Sequence, residues 1–220
     1  MTYGIYGASG TGQECVRQLI ENDRDTYSEK LVFIDDICTS DKIGGYCVFS
    51  YDEMKKKYST DEIRLMIAIG EPNSRKMLYE KIRNDGYGLF SFVNRHAFVD
   101  PTVKIGQGCF IDSDTFIDHH TVIGDNSVIY RGSVVGHGVR VGAHSMILVK
   151  CFIGGETILE ECGYVGSGAL ISDRIRVGAE SIIALGAVVF KDMPEKSTAL
   201  GNPARIIKKS GTKVFHERNR

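Results

Sequence analysis

Imidazole is the side chain best suited to proton transfer near neutral pH, and in this chain its spacing is regular. Of six histidines, His119, His120, His137 and His144 fall in one stretch, and His119 and His137 are 18 residues apart. Such a group can take a proton from an attacking amine or hydroxyl and pass it on later. A second candidate is Gly7-Ala8-Ser9-Gly10-Thr11-Gly12, set between an apolar run at 3–6 and a helix-like run at 13–21. Strand, glycine turn and helix in that order leave free N–H groups at a helix N-terminus, where a phosphate or sugar is favoured. The spacing is G-x-x-G-x-G and departs from the dinucleotide fingerprint, so a merely tight strand-to-helix turn stays open as a reading. Asp35-Asp36 close the apolar run 31–34, which places two carboxylates at the ligand-bearing end of a strand. They suit a ribose or a base, and equally a cap or a turn.

The stretch that carries the four histidines has a period no helix or ordinary strand produces. From Val93 to Val189 every sixth residue is Val, Ile or Leu, whereas helices repeat near 3.6 residues and strands at 2. Period six predicts a stacked coil in which the aliphatic residue fills the interior and three hexads make one turn, with turns roughly 4.8 Å apart. Four positions after each aliphatic residue sits a small one, with Ile175 as the break. Glycine follows the aliphatic residue at 106, 124, 136, 142, 154, 166 and 178, which reads as turns needing open backbone angles. This register stacks His119 against His137 at one corner and puts His144 at another. Before the coil, strands alternate with helices: a third buried strand over 65–70, a helix over 74–83, and a capping box Ser50-Tyr51-Asp52-Glu53. That alternation predicts a small parallel sheet. The expected division is a Rossmann-like unit at 1–90, the coil at 91–200 and a C-terminal tail at 201–220.

The totals narrow the classes of partner. With 220 residues and 42% apolar content the chain can bury a proper core. A formal net charge of -1, from 27 basic and 28 acidic residues, provides no global field for nucleic acid or an anionic membrane. No basic leader, apolar leader or long apolar run is present, so the expectation is a cytoplasmic protein without membrane insertion. The six cysteines form no C-x-x-C pair, which argues against a disulfide framework or zinc knuckle. No metal is expected.

The hexapeptide repeat, closed by Gly201-Asn202-Pro203-Ala204-Arg205, resembles the left-handed parallel β-helix acyltransferases. The N-terminal unit narrows the likeness. Its Gly7 to Gly12 turn, Phe33-Ile34-Asp35-Asp36, and Ala68-Ile69-Gly70 followed by Arg75 resemble the sialic acid O-acetyltransferases and the nucleotide-sugar N-acetyltransferases. The resemblance implies an α/β Rossmann-like nucleotide-sugar-binding domain followed by a left-handed parallel β-helix, assembled as a homotrimer with active sites between subunits. It implies acetyl-CoA as cosubstrate, lying along the coil groove near Gly166 and Gly186, where absent side chains leave space. Arg205, Lys208 and Lys209 are expected to meet its phosphates. Gly7, Ser9, Gly10, Gly12, Asp35, Asp36 and Gly70 are expected to hold the nucleotide sugar.

In the resembling family the catalytic histidine is followed by an acid and lies a fixed distance before the Gly-x-Pro-Ala ending. Counted back from Pro203, that position is His137. Here the acid is replaced by Gly138, and Tyr130-Arg131 stands where an Asn is common. His119, within Ile117-Asp118-His119-His120, is the alternative, or with Asp118 an assistant lying beneath His137; a structural role for both stays open. His96 and His216 are expected to be incidental. The reading reached is N-acetylation of the amino group of a nucleotide-linked amino sugar, for surface glycan synthesis. A weakened base is more tolerable for a neutral amine than for a hydroxyl of far higher pKa. Sugar O-acetylation is the alternative. A three-histidine metalloenzyme of the γ-carbonic-anhydrase type and a non-catalytic scaffold stand further off.

Overall fold

The computed structural model of the chain describes residues 1–209. It opens with β1 (Thr2–Tyr6), α1 (Gly10–Asn22), a single turn α2 (Arg24–Tyr27), β2 (Leu31–Ile34), β3 (Lys42–Ile43) and β4 (Tyr46–Phe49). There follow α3 (Tyr51–Lys57), β5 (Ile63–Ile67), α4 (Pro72–Asn84) and β6 (Gly88–Leu89). The sheet order is β3-β4-β2-β1-β5-β6, parallel except for the β3–β4 pair. All four residues of β2 are buried, as expected of a strand covered on both faces. α1 starts at Gly10, earlier than its apolar periodicity suggests, and β5 ends at Ile67. The expected capping box starts α3: Ser50 Oγ accepts from Glu53 N, and the Glu53 carboxylate accepts from Ser50 N at 2.8 Å.

From Phe92 onward two-residue strands succeed one another every six residues up to Val188–Val189. Each strand up to Leu170–Ile171 pairs in parallel with the strand 18 residues later, so Phe110 meets Val128, Phe116 meets Val134 and Val122 meets Arg140. The chain thus winds a left-handed parallel β-helix with three faces. Its aliphatic column is sealed from Ile111 onward, but Val93 is 38% exposed because no earlier turn covers it. The small residues have a second task beyond fitting under the turn. Thr121, Ser133 and Thr157 are buried and donate their hydroxyls to Gly136, Leu148 and Ser172 carbonyls at 2.8, 2.7 and 3.0 Å, which satisfies otherwise orphaned acceptors.

The glycines after the aliphatic residues act differently from expectation. They have no left-handed backbone; instead a Cβ at Gly142 would lie 2.4 Å from Glu161 N, and one at Gly124 2.6 Å from Ala143 N. They permit close approach of successive turns. The left-handed position comes two residues after the glycine site in each hexad from Gly108 to Gly186, among them Asp114, His120, Asn126, Gly138, His144 and Glu156, with φ between 55° and 64°.

The first coil face is joined to the α/β unit. Phe92, Phe110, Val128 and Met146 share one core with Ile5, Leu19, Phe33 and Met66. Arg75 of α4, 1% exposed, reaches across and donates to Asn126 O at 2.8 Å, Asn126 Oδ1 at 2.6 Å and Ile67 O at 2.5 Å. Burial lowers its pKa to about 10, leaving it charged at neutral pH. Arg131 forms a second bridge, to Glu14 at 2.5 Å and to the fully buried Asp112 at 3.1 Å. The residue standing where an Asn is common therefore ties the two units together.

Candidate active site

His119 and His137 follow equivalent strands of the second coil face, Phe116–Ile117 and Val134–Val135. Their rings stack with centroids 5.4 Å apart and planes 13° off parallel. Both side chains are 51% exposed, so the corner opens outward. Asp118 turns to its own neighbour: its Oδ1 lies 2.8 Å from His119 Nδ1 and also accepts from His119 N at 2.7 Å. Those bonds lower the Asp118 pKa and keep the carboxylate ionised. Asp118 thus spends its hydrogen bonds on His119 and acts on His137 by charge.

The other side of His137 holds what sequence reasoning missed. Gly155 carries no side chain because an added Cβ would lie 2.4 Å from His137 Cε1 and 2.9 Å from Nε2. The imidazole is seated between the His119 ring and the Gly155 backbone. Glu156 places Oε1 3.9 Å from His137 Nε2, while its Oε2 accepts from Arg174 Nε at 2.6 Å. Arg174, by hydrogen bond and charge, lowers the Glu156 pKa. The signal was present in the register, since Gly155 and Glu156 lie one turn beyond His137 and Gly138.

His144 is 6% exposed at another corner, with Nδ1 3.0 Å from Asn126 Nδ2. As Asn126 donates there, Nδ1 accepts. Burial first, then the Lys76 and Arg75 charges, lower its pKa, and its neutral ring belongs to the join between the units. Among the described residues no group of three His, Cys, Asp or Glu side chains has metal-ligand geometry.

The glycine turn and the carboxylates meet in a cleft of about 350 Å³ lined by Tyr6, Gly7, Asp35, Asp36, Ile69, Ser74 and flanking apolar residues. Gly7 has φ +112°, and a Cβ on Gly12 would lie 1.8 Å from Gly7 O. Both glycines are therefore required by the turn itself. Ser9 precedes α1 without a side-chain capping bond, and Gly10 and Gly70 border open space. Asp35 is engaged by backbone: it accepts from Ala8 N at 2.8 Å and from Ile37 N and Cys38 N at 3.0 Å. Asp36 accepts from Tyr6 Oη at 2.5 Å and Tyr51 N at 2.7 Å. Desolvation and Asp36 push the Tyr6 pKa up, so the phenol stays protonated as the donor. The two carboxylates shape the cleft floor as well as facing it.

At the far end of the coil, Gly186 is open to solvent with φ +66°. Gly166 does not leave free space, because Leu185 N would lie 2.6 Å from its Cβ; it is another close-approach glycine. Arg205 is exposed and lines a 460 Å³ hollow with Val189, Phe190, Met193 and Pro203. Lys208 and Lys209 are placed by backbone only, in the strand Arg205–Lys209, and His216 lies outside the described residues.

Comparison with known proteins agrees with this two-part design. The family described as GMPPB C-terminal domain matches residues 93–206, and the PglD N-terminal domain matches residues 4–82. Among solved structures, a histidine-to-alanine variant of GDP-perosamine N-acetyl transferase from Caulobacter crescentus, in complex with CoA and GDP-perosamine, is 27% identical. It has a TM-score of 0.84 and covers 95% of this chain and 98% of that one. PerB from Caulobacter crescentus, also in complex with CoA and GDP-perosamine, is 28% identical with a TM-score of 0.76 over 94% of this chain and 97% of its own. WeeI from Acinetobacter baumannii AYE is 27% identical with a TM-score of 0.71, over 94% and 100%. The chain belongs to the GMPPB C-terminal domain family along its coil and, taken whole, to the hexapeptide-repeat nucleotide-sugar N-acetyltransferases.

Proposed function

We propose that this protein transfers acetyl from acetyl-CoA to the amino group of a nucleotide-linked amino sugar, with His137 as the base. The observation that carries this reading is the half-exposed His137 ring, seated between His119 and Gly155, on a coil fused to a unit with an open helix N-terminus. The relatives in complex with CoA and GDP-perosamine support the two substrates. In the reaction the neutral amine attacks the thioester carbonyl carbon, a C–N bond forms, and His137 takes the proton the nitrogen sheds. Collapse of the tetrahedral intermediate breaks the C–S bond, and the proton passes to the departing CoA sulfur.

The α/β unit, 1–90, is the holder of the nucleotide sugar in this reading. The N–H groups at the start of α1 suit the pyrophosphate, with Gly7, Ser9, Gly10 and Gly12 around it, and Asp35, Asp36 and Gly70 border the nucleoside. Acetyl-CoA is assigned to the coil groove near Gly186, its phosphates to Arg205, Lys208 and Lys209. Gly166 contributes by letting turns pack rather than by leaving room. No helix among the described residues is long and apolar enough to cross a membrane; a cytoplasmic site fits the use of acetyl-CoA.

The test is a thermal-shift panel of nucleotide diphosphate sugars with CoA present, followed by thiol release on any hit. A His137→Ala variant is expected to lose turnover by at least 100-fold, within the range of general-base contributions, while still being stabilised by the sugar nucleotide. Retention of more than a tenth of wild-type activity would remove His137 from the mechanism.

A further inference from the structure

We infer that Glu156 is the positioning acid for His137, delivered from the next turn of the coil in place of the side chain that Gly138 lacks. The inference rests on His137 being the base. In the coil register residue 156 lies directly above residue 138, and both occupy the left-handed turn position, with φ 58° and 64°. Glu156 N donates to His137 O at 2.7 Å, so the two turns are bonded where the acid and the imidazole meet. One carboxylate oxygen stands 3.9 Å from His137 Nε2, and the other is fixed by Arg174 at 2.6 Å.

The remaining groups around the ring have other engagements. From the preceding turn His119 offers its face, and Asp118 is bound to His119 at 2.8 Å. His120 meets the edge of His119 at 5.2 Å. From the following turn come Gly155, whose N–H goes to Asp173 at 2.8 Å, and Glu156 with Arg174. Gly155 is the enabling residue, since any Cβ there would collide with the ring at 2.4 Å and drive it from the carboxylate. A separation of 3.9 Å is an electrostatic contact rather than a hydrogen bond, and catalytic hydrogen bonds commonly tighten once substrate is bound. With Nε2–H turned to Glu156, Nδ1 keeps the lone pair that receives the amine proton. The negative charge favours the imidazolium that forms.

Removing the carboxylate takes away the negative charge that faces the imidazolium formed as the amine sheds its proton. In Glu156→Gln, kcat is expected to fall about tenfold, a small share of a general base's contribution, with KM for both substrates unchanged. Gly138→Asp combined with Glu156→Gln restores an acid beside the imidazole and should recover the rate; that turn position already accepts an acid at Asp114, φ 55°.

His137→Ala is measured in parallel. If it is inactive while Glu156→Gln leaves kcat unchanged, Glu156 is overturned and the base assignment stands. If His137→Ala stays active, both fall. A fall in kcat that Gly138→Asp does not restore also overturns the inference, by marking Glu156 as a structural residue.

Discussion

His137 shows how little of an active residue's environment need be adjacent in sequence. Its neighbours in the chain, Gly136 and Gly138, contribute no side chain; its ring is held by residues 18 before and 18 after it, His119 and Gly155. Gly155 is consequently the most sensitive small residue at this corner. Gly155→Ala leaves the coil intact, because the clash falls on an exposed imidazole that can swing aside, but it misplaces the base. An error of about 1 Å in a catalytic group can cost roughly 100-fold. The variant is expected to keep its melting temperature within about 2 °C of wild type, on the scale of a surface change, and to lose kcat by 10- to 100-fold. A full-rate Gly155→Ala enzyme would show that the ring position does not matter.

At the scale of elements, the decisive contacts are those between α4 and the coil. Arg75 was legible as a residue of a family motif, but its role was not: it spends its guanidinium on Asn126, Ile67 and Ile69 carbonyls and the Asn126 amide oxygen. Asn126 in turn donates to Arg75 O at 3.1 Å and to His144 at 3.0 Å. Arg75→Ala would strand these buried acceptors, at a cost of roughly 3 kcal/mol or more given the usual worth of charged hydrogen bonds. Urea unfolding measures it, and a loss below about 1 kcal/mol, the worth of one ordinary hydrogen bond, would mean that water replaces the guanidinium freely. The coil strands follow the period of six without interruption. The turn glycines, however, are explained by the backbone of the next turn, which a linear pattern does not display.

For the whole molecule, the second coil face is notable for the apolar side chains it presents to solvent. Phe98, Phe116, Phe152 and Leu170 stand out from it at 52, 40, 43 and 42% exposure, and the Phe98 and Phe116 rings stack at 4.7 Å. The first face, by contrast, is covered by the α/β unit. An apolar ladder of this kind suits burial against another copy of the chain, and it borders the corner that carries His119 and His137. We therefore propose a homotrimer in which each ladder is covered by a neighbouring copy and each histidine corner is completed across the interface. Phe116→Glu with Phe152→Glu is expected to yield monomers in sedimentation velocity. Activity should drop at least 100-fold, as for a site losing substrate positioning, while the α/β unit keeps its affinity for the sugar nucleotide. A fully active monomer would refute completion across the interface.

The sequence by itself determined the coil, its 18-residue register, the stack of His119 on His137 and the parallel α/β unit ahead of it. Each of these follows from a local repeat: an apolar residue every sixth position can be buried only one way, and a strand-turn-helix alternation closes into few sheets. Only the tertiary structure decided that Asp118 serves His119, that Glu156 faces His137, that Arg75 and Arg131 join the units, and that Gly166 packs rather than opens. Those outcomes depend on where side chains point between turns and between units. The carboxylate that Gly138 lacks is an instance: absent along the chain, it is supplied at 3.9 Å by the turn above.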